Sequence, residues 1–179
     1  MAQKGQWIAV GGILGALAFA LGAALILTPE RGRVIPGSDA PPLRALDAAT
    51  GDSVTIDRFG GDVVLLNIWA TWCGPCEAEM PSMQRLHAKL GHQGLRILAV
   101  SVDVLGSRED VMAWVRERDL TFAILHDKSG KIQQTYQTTG VPESFVIDRH
   151  GVIVKKVIGS MEWDEPAQEA LFRRLLADD

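Results

Sequence analysis

The hydrophobic and polar positions divide the chain into one long, unbroken apolar segment and a later region of shorter runs. Residues 7–27 contain no charged side chain, and charged residues return at Glu30 and Arg31. Because about 20 apolar residues suffice to span the hydrocarbon core of a bilayer as a helix, we predict a transmembrane anchor at 7–27, after a short tail at 1–6. The alternative is a cleaved signal peptide, whose apolar core usually has only about 7–15 residues.

The shorter runs have the lengths and periods of alternating strands and helices. A linker rich in Gly, Pro and Arg is predicted at 28–37, followed by one domain at 38–179. Short apolar runs predict strands in this domain, at 43–48, 53–56, 63–69, 96–102, 121–125, 144–148 and 152–158. Helices are predicted from the cysteines to about Leu90, from the capping Ser107 onward, over 130–136 and over 166–176. This order predicts an α/β fold with a mixed central sheet that is flanked by helices.

Composition limits the classes of function. With 179 residues and 47% hydrophobic content, the chain can build one sizeable core. Its formal net charge of −4 gives no reason to expect nucleic-acid binding.

The chain has only two cysteines, Cys73 and Cys76, directly after the apolar run 63–69. A structural zinc site normally needs four ligands. No second cysteine pair is present, and the one histidine pair at a suitable spacing, His87 and His92, is expected at a helix end facing solvent, so no metal site is predicted. A purely structural disulfide is the second interpretation, but a loop this short constrains the unfolded chain very little. A redox couple is the third, and the neighbouring residues favour it.

The predicted helix start explains how the two cysteines could exchange disulfides. Cys73 would lie where free backbone N–H groups and the helix dipole stabilise a thiolate, so its pKa would fall and it would attack a partner's disulfide. Cys76, one turn further on, would resolve the mixed disulfide. Pro75 fits the first helical turn, and Pro81 should kink the helix.

The stretch WATWCGPC, residues 69–76, resembles the active-site motif of thioredoxin, and Gly140-Val141-Pro142 resembles the cis-proline loop of that family. The segments GSDAP, LNIWATWCGPCEAEMPSM and GVPESFVIDRHG together resemble a narrower group, the membrane-anchored thiol-disulfide oxidoreductases of the TlpA/ResA/CcmG (DsbE) type. This resemblance implies a thioredoxin-like fold with an extra N-terminal β-hairpin and a transmembrane helix before it.

The same resemblance implies the roles of individual residues. Cys73 is the expected nucleophile and Cys76 the resolving cysteine, with no cofactor beyond the disulfide that they form. The residues expected to contact substrate are Trp72, Gly74, Pro75, Val141, Pro142 (after a cis peptide bond) and Glu143. Glu143 has an alternative interpretation as a solvent-facing loop residue.

Two further residues separate this chain from ordinary thioredoxin. The family's buried Asp before the motif is replaced by Asn67, which cannot accept a proton. Glu79 lies three residues after Cys76, on the same helical face, where a partly buried carboxylate could take the proton of Cys76 and would have a raised pKa. An ordinary exposed Glu near a helix start is the alternative.

The resemblance also implies the direction of disulfide exchange and the partner proteins. A Gly-Pro pair between the cysteines resembles the reducing thioredoxins, so we expect a reductant of partner disulfides, with apocytochrome c as one partner and a membrane protein of the DsbD or CcdA kind as electron donor. The domain would face the periplasmic side of the inner (cytoplasmic) membrane. The alternatives are a general oxidant and a non-catalytic or copper-handling module. Such a copper module would need Met or His ligands near the cysteines, and Met80 and Met83 lie nearby at a spacing typical of core residues.

Overall fold

A computed structural model describes residues 32–178. The predicted tail (1–6), the predicted anchor (7–27) and the first residues of the predicted linker (28–31) lie outside these described residues. Between residues 32 and 178, no helix is both long and apolar enough to cross a membrane.

One mixed sheet forms the centre of the described domain. Its strands are β1 (Arg44–Asp47), β2 (Ser53–Thr55), β3 (Val63–Trp69), β4 (Leu95–Ser101), β5 (Ala123–His126), β6 (Glu143–Ile147) and β7 (Ile153–Ile158). They lie in the order β2-β1-β5-β4-β3-β6-β7. The β3–β4 and β4–β5 pairs are parallel, and the other neighbours are antiparallel. The predicted mixed α/β sheet and its extra N-terminal hairpin, β1–β2, are therefore confirmed.

Strand β3 is the interior strand that leads to the cysteines. All seven of its residues are buried, as expected of a strand covered on both faces. It pairs with β4 on one side and β6 on the other, and Ile68 lies opposite Glu143 at the start of β6. The C-terminal end of β3 and the loop before β6 therefore lie side by side at the same end of the two strands.

Four α-helices complete the described domain: α1 (Gly74–Leu90), α2 (Arg108–Arg116), α3 (Lys131–Thr135) and α4 (Pro166–Ala177). Helix α1 begins directly after Cys73, and Pro75 occupies its first turn, where the missing N–H costs no hydrogen bond. Helix α2 begins with the predicted Ser107 cap, in a reciprocal capping box with Asp110.

Packing against the sheet begins at Val34, inside the segment that the sequence predicts as a linker. The Val34 side chain is buried, and the amide of Gly37 donates a hydrogen bond to the carbonyl oxygen of Ile153. Asp39 forms a bridge with Val152. These contacts attach the segment before β1 to the edge of the sheet at β7.

Candidate active site

The two cysteines form a disulfide at the start of α1. Their Cα atoms are 5.2 Å apart. Cys73 is the N-cap residue of the helix, and its Sγ accepts a hydrogen bond from the backbone N–H of Cys76 at 3.2 Å. Cys73 is 5% exposed and Cys76 is fully buried, so Cys73 is the more exposed residue of the pair.

The residues around the disulfide that were expected to contact substrate differ in exposure. Trp72 is 70% exposed, and Gly74 and Pro75 also lie at the surface. The Val141–Pro142 peptide bond is cis, as predicted. Val141 is half-buried and Pro142 is buried, directly before β6. Because β6 pairs with β3, this loop and the cysteines share one edge of the sheet.

Glu79 lies on the inner face of α1 and is 1% exposed. The alternative interpretation, an exposed Glu near a helix start, is therefore wrong. Its Oε1 accepts a hydrogen bond from Asn67 Nδ2 at 2.8 Å. Its Oε2 accepts two, from the Met161 backbone N–H and the Trp163 indole N–H, each at 3.1 Å.

Asn67 links this carboxyl group to the sheet. On β3, Asn67 is the direct register partner of Ser144 on β6, and its Nδ2 also donates to Ser144 Oγ at 2.8 Å. Both side chains are buried. A polar residue in the middle of an apolar strand needs a buried partner, and Glu79 and Ser144 are the partners.

The environment of Glu79 changes its ionisation. Burial raises the pKa of the carboxyl group from 4.5 to about 7, because desolvation disfavours the charged form. The hydrogen bonds from Met161, Asn67 and Trp163 act in the opposite direction, and the negative charge of Glu162 raises the pKa further. Glu79 can therefore exchange a proton near neutral pH.

Glu143 is fully buried, so its alternative interpretation as a solvent-facing residue is wrong. Its Oε1 forms an ion pair with Lys156 Nζ on β7 at 2.8 Å, and its Oε2 accepts the backbone N–H of Thr139 at 3.0 Å. The contact with Thr139 joins the two ends of the loop 139–143 around Pro142, and the ion pair links this loop to β7. Glu143 therefore stabilises the cis-proline loop through buried side-chain contacts.

Asp103 holds the loop before Cys73. Its carboxylate accepts hydrogen bonds from the backbone N–H and the hydroxyl of Thr71, at 3.0 and 2.7 Å, and from the Ser101 hydroxyl at 2.6 Å. The residues after Asp103 are strongly exposed, Val104 at 56% and Leu105 at 100%. Sequence reasoning did not find Asp103, although its place directly after a predicted strand was a signal.

Sequence reasoning also did not assign Met161, Trp163 or Ser144 to the site. Trp163 is fully buried, and its indole N–H donates a hydrogen bond to Glu79. Met80 and Met83 are buried core residues, as their spacing predicted. Among residues 32–178, no group of three or more His, Cys, Asp or Glu side chains could hold a metal ion.

Comparisons with known proteins identify relatives over most of this domain. The sequence model of the AhpC/TSA family matches residues 36–156. A thiol-disulfide oxidoreductase ResA of Bacillus cereus is 35% identical over 147 residues, which are 82% of this chain and 82% of that protein. ResA of Oceanobacillus iheyensis is 40% identical over 112 residues, which are 63% of this chain and 57% of that protein.

A solved structure also matches this domain and belongs to the same class of protein as these relatives. A Chlorobium tepidum protein provisionally assigned as thiol:disulfide interchange protein DsbE has a crystal structure that matches with a TM-score of 0.71 at 31% identity. The match covers 79% of this chain and 98% of that chain. The fold, the disulfide at the start of α1 and the ResA relatives agree: the chain belongs to the AhpC/TSA thioredoxin-like family, in its TlpA/ResA/CcmG group of thiol-disulfide oxidoreductases.

Proposed function

We propose that this protein reduces disulfides in partner proteins on the periplasmic side of the inner membrane, with Cys73 as the nucleophile and Cys76 as the resolving cysteine. The observation that carries this proposal is the unequal placement of the two sulfurs. Cys73 is the N-cap of α1 and the more exposed of the two, whereas Cys76 is fully buried. A thiolate on Cys73 would receive the backbone N–H of Cys76 and the positive end of the helix dipole.

The proposed reaction begins with the reduced form of the protein. The Cys73 thiolate attacks one sulfur of the partner's disulfide, forms a mixed disulfide and displaces the other partner sulfur as a thiolate. Cys76 then loses its proton and attacks Cys73 Sγ, which closes the Cys73–Cys76 disulfide and releases the second partner thiolate. The partner gains two electrons, which this protein loses, and the released thiolates take up protons. The disulfide is the only redox group that this reaction requires.

Glu79 is the proposed acceptor for the proton of Cys76. It lies three residues further along α1, on the same buried face, so the two side chains are neighbours. With a pKa of about 7, the carboxyl group can be ionised before the proton transfer and neutral after it. Asn67, which cannot accept a proton, instead donates a hydrogen bond to Glu79.

An exposed apolar surface beside the disulfide supports contact with the polypeptide around a partner's disulfide. It consists of Trp72, Val104 and Leu105, which are among the six large hydrophobic residues exposed between residues 32 and 178. Asp103 joins the two segments, because its carboxylate binds Thr71 and its own chain continues into Val104. Trp72 directly precedes Cys73 in the chain, and exposed apolar patches mark interaction sites.

The remaining parts of the proposal rest on the apolar segment 7–27 and on the family. A single helix at 7–27 would hold the domain at the membrane. The periplasm is oxidising, so a reductant there needs electrons from a membrane donor, for which the DsbD or CcdA kind is proposed. Apocytochrome c is the proposed partner protein, in cytochrome c maturation.

The test is to trap partners with the variant Cys76→Ser in the full chain. Without the resolving thiol, the mixed disulfide between Cys73 and the partner accumulates, and we expect thiol-reversible adducts that contain apocytochrome c. The matched control is the double variant Cys73→Ser/Cys76→Ser, which should trap nothing. Adducts with other proteins but never with apocytochrome c would exclude the maturation role, and equal trapping by both variants would refute Cys73 as the nucleophile.

A further inference from the structure

The two oxygens of the Glu79 carboxyl group have different kinds of partner. Oε2 receives the backbone N–H of Met161 and the indole N–H of Trp163, each at 3.1 Å. From the described residues, Oε1 receives only the side-chain amide of Asn67, at 2.8 Å. The first two donors come from one segment after β7, and the third comes from the central strand β3.

This difference matters when the carboxyl group is protonated. A backbone N–H and an indole N–H can only donate hydrogen bonds, so neither can accept one from a protonated Oε2. A proton on Oε2 would therefore face two donors and would break at least one of these bonds. The carboxamide of Asn67 carries both a donor and an acceptor, and its partner Ser144 has a hydroxyl that can do either. Oε1 can therefore carry the proton and still find an acceptor after rotation of the Asn67 amide.

We propose that Trp163 is a positioning residue for Glu79: with the Met161 amide, its indole N–H holds Oε2 as a constant acceptor and leaves Oε1, facing Asn67, as the oxygen that binds the proton. This inference deepens the proposed function and rests on it for its catalytic meaning, because there Glu79 receives the proton of Cys76. It gives the proton a defined place on the side of the carboxyl group that faces the sheet.

The segment that carries Trp163 is held firmly against α1. The Trp163 backbone N–H donates to Ser82 Oγ at 2.9 Å, and Ser82 Oγ donates to the carbonyl oxygen of Glu79 at 2.7 Å. The indole is fully buried and packs against Phe172 of α4, with 6.2 Å between ring centroids. Both hydrogen bonds to Oε2 therefore come from a segment that is attached to the same helix as Glu79.

Few charged groups face this carboxyl group. Glu162, between the two donors, is the ionised side chain whose charge acts on Glu79. Lys155 on β7 contacts Met161 Sδ at 3.8 Å and Gln168 at 2.6 Å. Asn67 and Ser144 are uncharged, and Cys76 on the same helix does not titrate while the disulfide is closed. The oxidised protein therefore allows Glu79 to be titrated without interference from the cysteines.

The test compares the oxidised full-length wild type with Trp163→Phe, which keeps an aromatic ring and removes the N–H. Carbon NMR of the Glu79 carboxyl group should give a proton affinity about tenfold higher in the variant, since one donor that favours the ionised form is lost. Infrared spectroscopy should show the C=O band of protonated Glu79 at higher wavenumber, because the carbonyl oxygen Oε2 has lost one hydrogen bond. The variant Glu79→Gln identifies both signals by removing them.

Trp69→Phe is the matched control. Trp69 is also fully buried, but its Nε1 has no hydrogen-bond partner among the described residues. This control should leave the titration and the band of Glu79 unchanged. If Trp163→Phe shifts the titration but leaves the C=O band in place, the proton sits on Oε2 and the proposal is overturned; no change in either signal also overturns it.

A measurement on the wild type covers the case in which Trp163→Phe does not fold. The indole N–H resonance of Trp163 should titrate with the same midpoint as Glu79, because the two groups share a hydrogen bond. If the indole N–H resonance of Trp163 does not shift as Glu79 titrates, the hydrogen bond between them is refuted. None of these signals needs a partner or turnover, so an inactive wild-type protein in insulin reduction would count against the proposed function alone.

Discussion

Glu79 is the residue whose chemistry depends most on the fold. Its carboxyl group is 1% exposed, and its pKa rises from 4.5 to about 7 because of burial. The folded protein therefore binds this proton more tightly than the unfolded chain does. By linkage, the Glu79 contribution to the free energy of unfolding falls as the pH rises from about 4.5 to about 7.

We predict that Glu79→Gln removes this part of the pH dependence. In wild type, ionisation of Glu79 should lower the free energy of unfolding by about 3 kcal/mol between pH 4.5 and 7.5, and in the variant this decrease should be absent. Chemical denaturation of the oxidised protein across this pH range measures the difference. The same variant should slow the reduction of partner disulfides and lose the step near pH 7 in the rate, since Cys76 would lose its proton acceptor.

Glu165→Gln provides the control, because Glu165 is exposed and its side chain makes no cap hydrogen bond at the start of α4. Its unfolding free energy should follow the wild-type pH dependence. If Glu79→Gln also follows wild type, the carboxyl group is not perturbed by burial. An unchanged pH–rate profile would remove Glu79 from the proposed mechanism.

At the scale of elements, strands β6 and β7 contain a buried ion pair beneath the cis-proline loop. Glu143 is fully buried, and the Lys156 side chain is 18% exposed and lies over the Phe145 ring, with Nζ 5.2 Å from its centroid. Removing one partner of a buried pair leaves the other charge uncompensated, which costs more than the pair itself contributes.

We predict that Glu143→Gln lowers the free energy of unfolding by about 3 kcal/mol, because Lys156 then stays largely buried without a counter-charge. The amide oxygen of the new side chain can still accept the N–H of Thr139, so the loop contact itself is kept. Urea denaturation at constant pH measures the loss. The double variant Glu143→Gln/Lys156→Met should recover most of it, and losses that simply add would show that the two residues are not coupled.

Sequence reasoning predicted most elements because their local patterns were strong. The run 63–69 was uniformly apolar, and β3 has those bounds. Predictions failed at those ends of strands whose position depends on tertiary contacts. Ile56 was expected to end a strand, but it begins a 3-10 helix at Ile56–Phe59. Thr121 was expected to begin a strand, but its backbone N–H donates to Gln84 of α1, and β5 begins at Ala123.

In the candidate site, too, local sequence patterns predicted some residues, whereas residues that meet only through tertiary contacts were missed. Cys73 and Cys76 could be singled out by their spacing, and Glu79 by its spacing together with the resemblance to ResA-like proteins. Trp163 was not found as a partner of Glu79, because the two residues are 84 positions apart and meet only through the packing of the segment after β7. Asn67, a polar residue in an apolar run, was the available signal that a buried polar partner existed.

At the scale of the whole described domain, residues 32–178, three of the six exposed large hydrophobic residues belong to the segments beside the disulfide. Trp72, Val104 and Leu105 lie on two loops that Asp103 joins. In the proposed function, this surface contacts the polypeptide around the partner's disulfide, and burial of a leucine side chain stabilises such a contact by about 1.5–3 kcal/mol.

We predict that Leu105→Asp lowers kcat/KM for reduction of a protein disulfide, such as that of insulin, by about tenfold. The reason is the loss of apolar burial at the contact with the partner. Ile35→Asp introduces the same charge at another exposed apolar residue and should leave kcat/KM near the wild-type value. Equal effects of the two variants would show that net charge, rather than the surface beside Cys73, determines the rate.

The distance along the chain between Glu79 and Trp163 also bears on biosynthesis. Both cysteines are present once Cys76 has been made, but the second donor to Glu79 Oε2 is added 84 residues after Glu79 itself. A growing chain therefore carries a sulfur pair that can be oxidised long before its buried carboxyl group has all its partners. In the proposed function, the proton acceptor of Cys76 therefore has all its hydrogen-bond donors only after Trp163 has been made.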